Sequence, residues 1–249
     1  MGHGVVRGVT RAPEITLTGS YGLETRPLFA STQMRLEAGQ WTCLLGRSGV
    51  GKSTILRLIL GLPTQGRFIG TVTADDGHPL DGRAGYMAQT DLLLPWLSVR
   101  DNVVLGARLR GERPDLDKAH AMIDRVGLGA YHDKKPAALS GGMRQRAALA
   151  RTLMEDRPLV LLDEPFSALD AGTRADMQDL AAEVLRGKTV LLVTHDPAEA
   201  CRLGHHIKLL SETGITSWAV PDAPPARDVD DPQTLQAQAA LLAYLRGTS

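Results

Sequence analysis

Gly46-Arg47-Ser48-Gly49-Val50-Gly51-Lys52-Ser53 fits the phosphate-loop pattern at every fixed position. Glycines in such a loop let the backbone curl, so that successive N–H groups point inward at an anion. The helix that follows adds its N-terminal partial positive charge. Lys52 is expected to reach the β- and γ-phosphates of a nucleotide, and the Ser53 hydroxyl to hold Mg²⁺; Thr54 is counted with them. Asp163-Glu164 ends the apolar run Leu159 to Leu162. An acid there can bind Mg²⁺ through water, the role expected of Asp163, while Glu164 could deprotonate a water aimed at the γ-phosphate. A third apolar run, Val190 to Val193, ends in Thr194-His195. Ser140-Gly141-Gly142 opens a helix with two glycines in its first turn, which costs helix stability and suggests close backbone approach to something. A second phosphate at that N-terminus would use the same anion physics. Arg144 and Arg146, which follow, read either as a nucleic-acid patch or as a solvated, salt-bridged face, and the neutral total charge favours the second.

The elements that must position these groups follow from periodicity. The first forty residues alternate in short stretches broken by Gly and Pro, as in Glu14-Ile15-Thr16-Leu17-Thr18, and suggest antiparallel strands. Trp41 to Leu45 is a short apolar run ahead of the loop. Ser53 to Leu62 has helical spacing, with Ile55, Leu58, Ile59 and Leu62 on one side and Gly61 and Pro63 at its end. Gly66 to Gly82 reads as turn-rich strand. From about residue 89 to 153 the character is helical: Ser98 to Asp101 resembles a capping box, and Asp115 to Val126 and Gly142 to Leu153 are two further helices. The runs Leu159 to Leu162 and Thr189 to Val193 have the unbroken apolarity of parallel strands buried on both faces. Between them, Met177, Leu180, Ala181, Val184 and Leu185 mark an amphipathic crossover helix. Pro221 to Pro225 reads as a linker, and Gln233 to Arg246 as a terminal helix. The expected organisation is one domain over 1–217, with a helical subdomain inserted at about 89–153, then a short linker and helix over 218–249.

Composition bounds the rest. The chain has 249 residues, 43% hydrophobic and 22% charged, an ordinary globular balance that excludes bulk disorder and a coiled-coil rod. Lys+Arg 28 against Asp+Glu 28 leaves no basic excess for phosphate tracks, so nucleic acid is not expected as a partner. Cys43 and Cys201 form neither a disulfide framework nor a metal-ligand spacing and are expected to be buried small hydrophobes. Met1-Gly2-His3-Gly4-Val5-Val6-Arg7 lacks a signal-peptide run and the myristoylation pattern, and no window approaches the ~18 apolar residues of a membrane span. The chain is therefore expected to be intracellular and soluble, with any membrane role carried by a partner.

Taken in order, these motifs resemble the ATP-binding subunit of an ATP-binding-cassette (ABC) transporter across nearly the full length. The Walker A loop is Gly46 to Ser53, the signature Leu139 to Gly142, and Walker B Leu159 to Asp163 with Glu164 following. The resemblance adds a Q-loop glutamine at Gln89, acting on Mg²⁺ and the reaction, a D-loop at Ser167-Ala168-Leu169-Asp170, and a switch histidine at His195. Tyr21 lies where the family places the aromatic that stacks on adenine, although Tyr21-Gly22 is also an ordinary turn. Met143 stands where the signature usually has Gln. The resemblance implies a phosphate-loop NTPase core of α/β class with an antiparallel β subdomain and a helical insertion. It further implies ATP and Mg²⁺, a sandwich dimer with a second copy, and integral membrane permease subunits served by a substrate-binding protein. The place implied is the cytoplasmic face of the bacterial inner membrane. The segment Gln89 to Val99 resembles importer subunits for nitrate, sulfonates, taurine and thiamine-precursor pyrimidines, and its wording leans to the pyrimidine branch. An exporter cassette, a soluble non-transport cassette and a phosphate-loop kinase are the competing readings. A kinase would not need Leu139 to Gly142.

Overall fold

Alternation of buried and exposed side chains puts Ile15 and Leu17 of β1 (Ile15–Leu23) on one inward face, as period-two patterning requires. The computed structural model describes residues 11–24 and 26–247, so the N-terminal heptapeptide lies outside the described residues. β1 pairs antiparallel with β2 (Arg26–Leu36) on one side and β4 (Arg67–Ala74) on the other. The stretch after Gly66 thus completes the N-terminal antiparallel sheet.

The second sheet carries the chemistry. Its order is β5-β6-β7-β3-β8-β9, with β3 Trp41–Gly46, β5 Ala84–Met87, β6 Leu159–Asp163, β7 Thr189–Val193, β8 His206–Ser211 and β9 Gly214–Trp218. The first five strands are parallel, and β9 alone runs antiparallel to its neighbour. Every residue of β6 and β7 is buried, the pattern of strands covered on both faces. The connection between them contains α6 (Ala171–Val184), which turns Met177, Leu180 and Ala181 inward. Because β3, β6 and β7 are parallel neighbours, Gly46, Asp163 and Thr194 emerge at one carboxyl edge, where ligands of open α/β sheets bind.

α1 (Lys52–Ile59) follows the loop, but its inward face differs from the expected one. Ile55, Leu56 and Ile59 are buried while Leu62 is exposed. The helix stops at Ile59, and Gly61 turns left-handed at φ 64°, so Leu62 never returns to the stripe. The insertion holds α2 (Val99–Val103), α3 (Leu105–Leu109), α4 (Leu116–Arg125) and α5 (Gly141–Met154). Capping explains where they begin. Ser98 Oγ accepts the Asp101 N–H at 3.1 Å and donates to the Asp101 carboxylate at 2.7 Å. Asp115 accepts the Lys118 N–H at 2.9 Å.

The stretch read as a linker is held in place. Arg227 is buried and donates to the carbonyls of Cys201, Gly204 and Pro221, while its own carbonyl accepts Arg202 Nε. α8 (Pro232–Gly247) then packs on α7 (Pro197–Leu203) and places Leu241 in the main core. Proline-rich composition conceals this, because the bonds of one buried arginine, among them one to the Pro221 carbonyl, hold the path. Cys43 and Cys201 are buried free thiols; burial raises both, Cys201 to about 11, which makes them inert. No helix among the described residues is long and apolar enough to cross a membrane.

Candidate functional site: a phosphate loop with a carboxylate at its rim

The loop between β3 and α1 needs its glycines. Gly51, the residue before α1, has φ 107°, and a Cβ there would stand 2.7 Å from Leu28 Cδ2. Gly49 also lies in the left-handed region, at φ 77°. Lys52 is only 8% exposed, yet its ammonium donates to the carbonyls of Gly46 at 2.8 Å and Arg47 at 3.0 Å. Burial lowers its pKa, and the nearby charges of Glu164 and Asp163 oppose that shift. Ser48, Gly49, Gly51, Lys52, Ser53 and Thr54 line a cavity of about 400 Å³ that Tyr21, Gln89 and Glu164 also reach. Arg47 is exposed at the loop tip, and Val50 packs against the core beneath.

Asp163 ends β6 and is buried, which raises its pKa; a hydrogen bond with the Ser53 hydroxyl pulls the other way. A buried carboxylate beside a hydroxyl, both oxygen donors, with Gln89 at the rim, suits a hard divalent cation. Ser53, Asp163 and Gln89 therefore fit Mg²⁺, which when bound neutralises charge on phosphate oxygens. Glu164 is the next residue and adopts φ 50°, a left-handed conformation costly for a non-glycine. Its Oε2 accepts Gln89 Nε2 at 3.3 Å and stands 3.2 Å from His195 Nδ1. The structure thus brings Gln89, Glu164 and His195 together from three separate segments.

Ser140, Gly141, Gly142 and Asp170 do not line that cavity. Ser140 caps α5 by accepting the Met143 N–H at 3.3 Å, so Met143 takes its place in the first turn through its backbone. Asp170 caps α6 through the Thr173 N–H at 3.1 Å. The close approach expected at the glycines is internal at Gly142: a Cβ would lie 3.1 Å from the Ala168 carbonyl oxygen. Gly141 meets nothing nearer than Arg144, at 4.0 Å. Tyr21 reaches the cavity, but its ring is 3% exposed, stacks on Phe29 at 5.9 Å, and its hydroxyl accepts the Gly66 N–H at 2.5 Å. Its ring is therefore covered by the protein itself, with Phe29 on one face.

The arginines after the signature are half-buried; Arg144 makes the expected ion pair, with Asp91, and both Arg144 and Arg146 also bond the chain's own backbone. Arg144 donates to the Leu139 carbonyl and to Asp91, Arg146 to the Val126 carbonyl, and Arg151 to the carbonyls of Asp91 and Leu92. Asn102, fully buried, accepts the Leu94 N–H at 2.7 Å and reaches the Ser98 carbonyl at 3.0 Å. Segment 91–98 is thus tied to α2 and α5, leaving Trp96 66% exposed. Sequence reasoning missed Gln145, Arg174 and Glu199. Arg174 bridges Leu169 and Asp196, while Glu199 lies buried beneath the histidine turn. For Gln145 a signal existed: it is polar on the stripe of Ala148, Leu149 and Thr152, all buried.

A phosphate loop after one parallel strand, with acids at the same edge of a second parallel strand one place removed in the sheet, defines a phosphate-loop nucleoside triphosphatase. The ABC transporter family model matches residues 29–167, more than half the chain. An uncharacterized ABC transporter ATP-binding protein of Haemophilus influenzae is 42% identical over 235 residues, covering 92% of this chain and 96% of that one. An aliphatic sulfonates import ATP-binding protein of Rhodococcus jostii is 46% identical over 197 residues, 77% of each chain. Among solved structures, the ATP-binding cassette MJ0796, a dimer in a post-hydrolysis state bound to ADP and phosphate, superposes with a TM-score of 0.72. It is 27% identical and covers 86% of this chain and 99% of that one. The chain belongs to the ABC transporter family and is an ATP-hydrolysing, ATP-binding subunit that powers transport.

Proposed function

We propose that ATP binds with Mg²⁺ in the cavity beneath the phosphate loop and is hydrolysed there by a dimer of this chain, driving import through a membrane permease. The observation that carries this reading is the set of polar groups around that cavity: a nearly buried ammonium at its floor and the Gln89–Glu164–His195 cluster at its rim. Lys52 binds the β- and γ-phosphates and offsets charge that builds on them. Ser53, Gln89 and Asp163 hold Mg²⁺. Glu164 takes a proton from the attacking water as its oxygen bonds the γ-phosphorus and the bond to ADP breaks. Gln89 and His195, each beside the Glu164 carboxylate, hold it aimed and contact the γ-phosphate. Tyr21 borders the adenine.

Ser140, Gly141, Gly142 and Asp170 lie outside the chain's own cavity, which supports their use on the nucleotide of a second copy. The dimeric state of the solved cassette supports the same arrangement. The remaining partners are integral membrane permease subunits, served by a substrate-binding protein, and the subunit sits at the cytoplasmic face of the bacterial inner membrane. The names of the relatives support an aliphatic sulfonate as cargo and not the pyrimidine to which the sequence wording leans. A deletion strain should fail to grow with an alkanesulfonate as sole sulfur source, and growth there would exclude that cargo.

Glu164→Gln tests the chemistry. It removes the base but keeps the shape, so ATP binding should persist while turnover falls roughly 10²–10⁴-fold. Near-normal hydrolysis would remove Glu164 from the role.

A further inference from the structure

We infer that Gln145 is a positioning residue for hydrolysis, holding the backbone of Glu164 in the conformation that aims its carboxylate at the cleft. The inference rests on the reading of Glu164 as general base. Gln145 sits five residues after Ser140 and is buried, the residue being 7% exposed. Nε2 donates to the Glu164 carbonyl at 3.0 Å and to Ser167 Oγ at 3.2 Å. Oε1 accepts the Ala168 N–H at 2.8 Å. Both amide protons and the amide oxygen are thus spent on the turn that carries Glu164.

That turn needs holding. Glu164 sits at φ 50°, and such a conformation persists only where its surroundings over-determine it. On the N-terminal side, the Glu164 N–H is fixed by the Val193 carbonyl at 2.9 Å, which belongs to the sheet. On the C-terminal side, the carbonyl is held by Gln145 and by the Ser167 hydroxyl at 3.1 Å. Gln145 is the only one of these two that comes from another element. The direction of the Glu164 side chain, where Gln89 and His195 meet it, therefore depends on where α5 stands. α5 also carries Ser140 and Gly142, and Gly142 lies against the Ala168 carbonyl, one residue past Ser167. The helix end proposed to meet a partner's nucleotide and the base of this subunit are joined through one amide.

The test uses full-length Gln145→Met and Gln145→Glu beside Glu164→Gln. Methionine keeps the length and removes both donors; the Glu164 carbonyl retains Ser167, so it is not left bare. Glutamate keeps the acceptor for Ala168 and regains a donor only when protonated. The expected result for Gln145→Met is ATP affinity within about twofold of wild type and kcat at least about tenfold lower, the signature of an interaction used in the transition state. For Gln145→Glu, the ratio of its kcat to that of wild type should rise as pH falls from about 8 to 6, because protonation restores donation to the carbonyl. Wild-type kcat in both variants, with Glu164→Gln inactive, overturns the inference and leaves the base intact. A pH-independent ratio for Gln145→Glu, or insolubility of both variants, also overturns it. Full turnover in Glu164→Gln instead identifies the base assignment as the failure.

Discussion

Glu199 accepts the Thr194 hydroxyl at 2.6 Å, and that hydroxyl oxygen in turn accepts the Asp196 N–H at 3.0 Å, so the turn bearing His195 is pinned from below. Burial pushes the Glu199 carboxyl from 4.5 up to about 7; Asp196 raises it further, while Thr194, Arg174 and His195 oppose the shift. The folded state therefore holds a proton that the unfolded chain releases between pH 4.5 and about 7. This contribution to stability is complete below pH 4.5 and is lost as pH rises through about 7. Glu199→Gln cannot ionise and can still bond Thr194. Its melting temperature should exceed that of wild type at pH 8, with the difference shrinking towards pH 5. An equal difference at both pH values would show that Glu199 does not titrate in this window. Sequence makes the placement of Lys52, Asp163 and Glu164 at one edge of the sheet legible because it follows from local spacing. Glu199 is not legible, because its burial is decided by packing around the turn and not by its neighbours in the chain.

At the scale of the element, α5 separates two glycines that the sequence presents as equivalent. Gly142 has an internal reason to be glycine, the Ala168 carbonyl, whereas a Cβ at Gly141 would meet only the end of the Arg144 side chain, at 4.0 Å. An aspartate at 142 would disturb the turn of its own chain, so 141 is the informative position. Gly141→Asp in a Glu164→Gln background should melt like its parent and bind ATP. It should fail to form the ATP-driven dimer, since a carboxylate there would face phosphate where water is excluded. A dimer peak of normal size in size-exclusion chromatography with ATP would contradict the trans role. The starts of α2, α4 and α5 are readable because Ser98, Asp115 and Ser140 are side-chain caps, whereas α3 begins after Val104 with no such cap and leaves no signal. The inward face of α1 differs from the expected one because the helix stops at Ile59, three residues before Leu62, and Leu56 is buried in its place.

At the scale of the molecule, segment 91–98 hangs from the helical subdomain through Asn102, Arg144 and Arg151, and not from the sheet that supports the loop. A rotation of α5 and α2 would therefore carry Trp96 bodily. Exposed aromatics at interfaces can contribute roughly 2 kcal/mol or more to binding. Trp96→Ala should leave the melting temperature and basal ATPase of the isolated subunit nearly unchanged, while weakening co-purification with the permease and abolishing uptake. Intact uptake would remove Trp96 from the coupling surface. The parallel core and the helical insertion were legible because each rests on long apolar runs or strong periodicity. The path of residues 219–231 was not, since a single buried arginine sets it.

The position of β3 also constrains how the protein is made. Its only sheet neighbours are β7 and β8, so Gly46 finds its pairing partner, Leu210, roughly 160 residues later. At a synthesis rate of about 5–20 residues per second, the loop-bearing strand waits some ~10–30 s before the strands that flank it exist. Until then the apolar run Trp41 to Leu45 has no strand of its sheet to pair with, which leaves it open to a chaperone.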